Sequence, residues 1–219
     1  MDSHHLKNGL IELESKGINL FSCIRVGELP LEIKQNLEIQ KIPMSDQDTL
    51  CLLGHGGKDL WKKLPHPLRK EENPIDHYAV EQMKFFAKNY LLNEIQILFP
   101  HTHYLLPLQK ISRLLNLSRA TPMGIDIHQE FGVWFGLRGL FLTKEQIPLP
   151  SKLPFMSPCE NCQDRPCILP CPTQARLACP YQSIHQYDND QQEYHNSISA
   201  DYLLHTPKIM FEAKTTKAV

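Results

Sequence analysis

The stretch that decides the fold reads Gly124-Ile-Asp-Ile-His128-Gln-Glu-Phe131-Gly132-Val-Trp134-Phe135-Gly136-Leu-Arg138-Gly139. Two runs rich in apolar residues, Met123 to Ile127 and Val133 to Leu142, predict strands joined by the segment from His128 to Gly132. Glycine within a strand often marks a bulge or a close approach of the backbone to a ligand, and aromatic side chains pack against planar rings. The stretch therefore predicts either a strand pair with an aromatic core or a wall that faces a large planar ligand.

Helical and strand patterns alternate upstream of this stretch. The apolar spacing predicts helices over His4 to Lys16, from near Lys58, over Ile75 to Leu92 and over Leu105 to Leu115. Strands are predicted over Ile18 to Val26, Thr49 to Leu53 and Ile95 to Phe99. Such alternation predicts an α/β or α+β sandwich.

A short glycine-rich segment, Gly54-His55-Gly56-Gly57-Lys58, follows the second predicted strand. It lacks the spacing of a P-loop and that of a dinucleotide-binding fingerprint. Two interpretations stay open: a plain strand-to-helix turn, or backbone N–H groups placed near an anion.

Four cysteines form the second informative stretch, Cys159-Glu-Asn-Cys162-Gln-Asp-Arg-Pro-Cys167-Ile-Leu-Pro-Cys171-Pro172. Thiolates at this spacing can converge on one soft metal, and a proline after the last cysteine is typical of bacterial ferredoxin runs. The favoured hypothesis is a 4Fe–4S cluster held by Cys159, Cys162, Cys167 and Cys171. Structural zinc and bare thiols or a disulfide are the alternatives, and Cys179 could replace Cys171.

Composition limits the other classes of function. The 219-residue chain has a formal net charge of -1 and 42% hydrophobic residues, which argues against a nucleic-acid or membrane-surface partner. The N-terminal segment lacks the apolar core of a signal peptide, and the cysteine pattern favours a reducing, cytoplasmic location, with Cys23 and Cys51 as buried structural thiols. A shift to Pro- and Cys-rich sequence predicts a body over residues 1–147 and a cysteine module with a tail over 148–219.

The His128 to Gly139 stretch resembles the I-H-P-x-F-G-x-W-F-x-x-R-G segment of the cobalamin-processing CblC family, with Gln129 in place of the proline. Asn73-Pro74-Ile75-Asp76 is similar to that family's D-P-V-D before a long helix. The resemblance covers roughly residues 4–150. It implies an α+β, nitroreductase-like sheet-and-helix body that binds cobalamin.

The cysteine module is similar to another group of proteins. Cys171-Pro-Thr-Gln-Ala175 resembles the end of the iron–sulfur motif of epoxyqueuosine reductase, and short bacterial ferredoxin-like proteins combine a CblC-like body with such a module. The chain lacks a second full cysteine set, which argues against action on a tRNA base. The fold expected is thus a CblC-like α+β body followed by a ferredoxin-like cysteine module.

Together the two resemblances imply a corrinoid-binding iron–sulfur protein that reduces or processes cobalamin by single-electron transfer to cobalt. The residues expected at the corrinoid are His128, Phe131, Gly132, Trp134, Phe135 and Arg138. For Arg138 a pairing with a carboxylate is an equal alternative to ligand contact. The partners implied are a corrinoid and an electron-donor protein, and fold analogy allows a homodimer. The rival hypotheses are a non-catalytic cobalamin carrier with a structural metal site and a flavin-dependent reductase.

Overall fold

An antiparallel sheet of four strands lies at the centre of the fold, in the spatial order Leu20–Arg25, Thr49–Gly56, Phe135–Thr143 and Ile95–Phe99. The computed structural model describes residues 3–148, 155, 157–168, 179, 181 and 183–195. The strands of the sheet are β1 (Leu20–Arg25), β2 (Thr49–Gly56), β3 (Ile95–Phe99) and β6 (Phe135–Thr143). Two short strands, β4 (Arg119–Ala120) and β5 (Asp126–Ile127), pair separately.

Five α-helices accompany the strands between residues 3 and 148: α1 (Ser3–Ser15), α2 (Leu31–Ile39), α3 (Asp59–Lys63), α4 (Pro74–Tyr90) and α5 (Leu108–Leu114). One face of the sheet packs a hydrophobic core that includes residues of α2 and α5, among them Ile33, Leu37 and Ile111. Because side chains alternate between the faces of a strand, Phe21 of β1 lies on the other face, where its ring meets Phe86 of α4. The sheet is therefore covered on both sides, and every residue of β2 is buried.

The sequence predictions of the long elements are confirmed. Helix α4 begins at Pro74 as expected of a proline at a helix start, and Gly17 after α1 has the positive φ of 85° that favours glycine. The α+β class is confirmed as well.

Three details of the sequence prediction were wrong. Helix α2 was not predicted. Strand β5 is two residues long, because a turn with Gly124 at a φ of 83° occupies the rest of the predicted strand. Strand β2 continues to Gly56, so Gly54 and His55 belong to the sheet and not to a turn.

The chain divides into two compact units, Met1–Gln186 and Tyr187–Val219. Residues 189–195 of the second unit are helical. The described cysteines of the module lie in the first unit. The predicted boundary at Ile147 stays a prediction, since residues 149–154 are outside the described part of the chain. No helix in that part is long and apolar enough to span a membrane.

Candidate functional site

A β-bulge positions Arg138. The pairing of β2 with β6 passes from Leu53 opposite Gly139 to Gly54 opposite Leu137, so Arg138 is the extra residue on β6. Bulges of this kind redirect a side chain. The Nε atom of Arg138 donates a hydrogen bond of 3.0 Å to Nδ1 of His55, a fully buried residue of β2.

This pairing bears on the alternative of a carboxylate partner for Arg138. No carboxylate forms an ion pair with Arg138 among the residues that the structure describes, and its partner there is an imidazole. A guanidinium has five N–H donors, and the bond to His55 uses one of them. The half-buried cation therefore keeps donors for an oxygen acceptor.

The glycines at the end of β2 make room for an aromatic ring. A Cβ atom on Gly56 would lie 2.0 Å from Cδ2 of Phe131, so only glycine fits under this ring. Gly57, with a φ of 70°, donates its N–H to the carbonyl of Trp134 at 2.8 Å. The glycine-rich segment therefore packs against the ring of Phe131. This contact joins positions that are far apart in the sequence.

The turn between β5 and β6 is closed by His128. Its backbone exchanges hydrogen bonds of 2.7 and 3.0 Å with Gly132, whose φ is 59°. Its Nδ1 atom accepts the backbone N–H groups of Glu130 at 3.0 Å and Phe131 at 3.2 Å. Because Nδ1 acts as an acceptor, the proton of the neutral ring is on Nε2.

The His128 ring is neutral near pH 7. Its pKa is lowered from 6.5 to about 4, mainly by burial and to a smaller extent by the nearby charge of His185. A buried imidazole of low pKa is typical of functional sites and also of buried structural histidines.

Aromatic rings line the outer side of this turn. The centroid of His128 lies 5.1 Å from that of Phe131 and 5.8 Å from that of Phe135. We call His128, Phe131, Phe135 and Arg138 the aromatic wall. Trp134 lies behind it, with 2% of its surface exposed, so it packs in the core beneath the wall.

A segment after the cysteines returns to the wall. The hydroxyl of Tyr181 donates to the carbonyl of Gln129 at 2.6 Å, and the ring of His185 meets Phe131 edge-on at 4.9 Å between centroids. Sequence analysis singled out neither residue. Neither belongs to a motif, and only the tertiary contact reveals their place.

An ion pair between half-buried Arg113 and buried Asp126 fixes the strand before His128. Both carboxylate oxygens of Asp126 accept from Nε of Arg113, at 3.0 and 3.1 Å, and one accepts from Ser118 at 2.7 Å. The carboxylate of Asp126 raises the pKa of Arg113, so the guanidinium stays charged. This fork holds β5 against α5 and thereby orients the turn that carries the wall.

Cavities occur at both ends of β6. One of about 160 Å³ adjoins the wall. Its lining includes Gln109, Asp126, Phe135 and Gly136. Two larger cavities, of about 440 and 470 Å³, lie near Thr143 and Lys144 at the far end of the strand. Phe135 of the aromatic wall lines the smaller cavity.

The module cysteines that the structure describes are free thiols, and Cys179 interacts electrostatically with the other three. Burial raises the pKa of Cys179, a hydrogen bond with the backbone of Tyr181 lowers it, and the charges of Cys167, Cys159 and Cys162 raise it. Within the described residues, however, no three His, Cys, Asp or Glu side chains are arranged to hold a metal ion. Cys171 lies outside the described part of the chain.

Comparisons with known proteins agree with this architecture. No protein-family model and no curated protein matches the sequence. The crystal structure of a C. elegans B12-trafficking protein CblC matches with a TM-score of 0.51 and 12% identity, over 89% of this chain and 92% of that one. The epoxyqueuosine reductase from Streptococcus thermophilus matches with a TM-score of 0.47 and 12% identity, over 88% of this chain and 61% of that one. The chain therefore has a CblC-like α+β fold.

Proposed function

We propose that the protein binds a corrinoid at the aromatic wall and passes single electrons to its cobalt from an iron–sulfur cluster in the cysteine module. The observation that carries the proposal is the arrangement of His128, Phe131, Phe135 and Arg138 at the end of a sheet with a CblC-like fold. The protein of similar fold from C. elegans is a B12-trafficking protein.

The residues of the wall fit one edge of a corrinoid. The half-buried rings of His128 and Phe135 offer apolar surface, Phe131 packs beneath them with 8% of its surface exposed, and Arg138 retains N–H donors for an amide carbonyl or phosphate. Gly132 supports the wall through its backbone, and Trp134 supports it from the core. Because the adjoining cavity of about 160 Å³ is small, a corrinoid would bind with most of its ring outside that cavity.

The cysteine module would hold the cluster through Cys159, Cys162, Cys167 and a fourth thiolate, for which Cys171 is our first choice and Cys179 the alternative. The closeness of Cys179 to the other three cysteines supports the alternative. A 4Fe–4S cluster supplies one-electron transfer at a potential tuned by hydrogen bonds and exposure. The return of Tyr181 to Gln129 supports a module that ends near the wall.

The test is a reduction experiment without oxygen. Hydroxocobalamin is added to anaerobically purified protein with limiting reductant, and the corrin absorbance is followed. We expect protein-bound cobalt to pass from Co(III) to Co(II) faster than free hydroxocobalamin. A cysteine variant, Cys162→Ser, should bind the corrinoid but lose the acceleration. Equal rates for native protein, variant and free corrinoid would reject the redox role.

A cobalamin carrier is the second candidate, and the trafficking role of the C. elegans protein favours it. A carrier needs no electron transfer, so its module would hold zinc or an inert cluster. Metal analysis and electron paramagnetic resonance (EPR) of the purified protein separate the two: reducible iron with sulfide supports the redox role, and zinc supports the carrier. A yellow protein with a flavin spectrum would support the flavin-dependent reductase instead.

A further inference from the structure

Three histidines lie around the glycine end of β2, and their ring nitrogens are engaged differently. His55 accepts from Arg138 through Nδ1, and His128 accepts from two backbone N–H groups through Nδ1. No hydrogen bond to the ring of His185 occurs among the described residues. The three imidazoles therefore differ in what they can offer a ligand.

The engaged Nδ1 atoms make His55 and His128 poor ligands for a metal. A neutral imidazole with an accepting Nδ1 carries its proton on Nε2, and that proton blocks coordination through Nε2. Coordination through Nε2 would move the proton to Nδ1, where it would face the N–H groups that now donate to Nδ1. For His128 this breaks two hydrogen bonds and weakens the closure of the turn.

For His185, neither a proton fixed on Nε2 nor the loss of a hydrogen bond at Nδ1 opposes coordination. The residue lies at the aromatic wall. Its ring contacts Phe131 at 4.9 Å between centroids, and its Nδ1 atom would be 3.8 Å from a Cβ on Gly57. The residue is half-buried, so a ligand can reach it. Tyr181, bound to Gln129, anchors the segment that carries it.

We propose that His185 supplies an axial nitrogen ligand to the cobalt of a corrinoid bound at the aromatic wall. The proposal rests on the proposed function and adds a residue from beyond the cysteines to the site. Imidazole nitrogen is a suitable ligand for the later first-row transition metals, and the unengaged ring of His185 binds without the loss of a protein hydrogen bond.

The experiment uses cobinamide, a corrinoid that lacks the nucleotide base and so brings no base nitrogen to the cobalt. Full-length protein is loaded with cobinamide, reduced to Co(II), and examined by EPR. One axial ¹⁴N ligand splits each cobalt line into a triplet. We expect triplets with native protein, doublets after labelling of histidine with ¹⁵N, and single lines with His185→Phe.

One further variant makes the assignment specific. His77→Phe removes an exposed histidine outside the wall. It should retain the triplets. Retained cobinamide without nitrogen splitting in the native protein, or splitting that survives in His185→Phe, would overturn the role of His185 while corrinoid binding stands. Failure to retain cobinamide at all would reject both proposals.

Discussion

Arg138 contributes a cation whose direction is set by the backbone. The bulge positions the Arg138 side chain, and His55 accepts a hydrogen bond from one of its five N–H groups. The remaining N–H groups of the guanidinium are therefore oriented in advance. Sequence analysis identified the residue through its motif. It could not identify the partner, because His55 comes from another strand and belongs to a segment that was interpreted as a turn.

The first prediction concerns this fork. Arg138→Lys keeps the charge but loses the bond geometry to His55, so we expect corrinoid affinity to fall about tenfold, equivalent to about 1.4 kcal/mol. Titration of Trp fluorescence with hydroxocobalamin measures the change. Arg69→Lys, at a cation that lies 5.0 Å from the centroid of Trp61, is the control and should leave affinity unchanged. Equal affinity of native protein and Arg138→Lys would exclude a ligand contact by the fork.

The low pKa of His128 makes stability depend on pH. Its pKa is about 4 in the folded protein and about 6.5 when unfolded, so between these values the unfolded chain binds a proton that the folded chain does not. The stabilisation is therefore complete above pH 6.5 and is lost as the pH falls towards 4, by about 3 kcal/mol in total.

His128→Asn tests this assignment. Asparagine accepts backbone N–H groups in turns but does not titrate, so we expect the variant to lose less stability between pH 7 and pH 5 than the native protein. Urea unfolding at the two pH values gives the difference. Parallel losses in both proteins would show that His128 titrates near its ordinary value.

At the scale of elements, the site depends on the end of β2 and the turn before β6. The hydrophobic patterns predicted α1 and α4, which bury apolar residues at helical spacing, and β3 and β6, which are runs rich in apolar residues. Helix α2 is not apparent from the sequence, because only two of its nine residues, Ile33 and Leu37, are buried apolar residues. The packing of Phe131 against Gly56 also cannot be predicted from the sequence, because the contact depends on the backbone positions of both residues.

Gly56→Ala tests the contact between these elements. Its methyl group would meet the Phe131 ring at 2.0 Å, so the wall must shift, and we expect a loss of about 1–3 kcal/mol in unfolding free energy together with weaker corrinoid binding. Gly27→Ala is the matched control. Its methyl would meet Cβ and the backbone oxygen of Asp46 at 3.2 Å each, at a site on the exposed surface, so we expect a smaller loss of stability than in Gly56→Ala and unchanged corrinoid binding. If Gly56→Ala is as stable as the control, Phe131 does not depend on this glycine.

At the scale of the whole molecule, the CblC-like fold was predictable from the His128 to Gly139 stretch, and the structural match confirms it. The spacing of the cysteines is the only sequence feature that indicates a metal site in the module. Spacing does not distinguish Cys171 from Cys179, because either lies far enough along the chain to turn back to the first three cysteines.

A pair of variants distinguishes the fourth ligand. Cys171→Ser and Cys179→Ser differ in one thiol each, so each is the control for the other. Loss of a thiolate ligand should reduce bound iron by more than half in one variant and leave the other near the native content. Iron and sulfide analysis after anaerobic purification gives the answer. Native metal content in both variants would reject a four-cysteine site that uses either residue.

Corrinoid binding is the central claim, and an equilibrium titration tests it most directly. Hydroxocobalamin is added to anaerobically purified native protein, and the bound cobalt per chain is measured after gel filtration. The account predicts saturation near one cobalt per chain, with a shift of the corrin absorbance and quenching of Trp fluorescence. Elution of all corrinoid apart from the protein, with an unchanged spectrum, would contradict it.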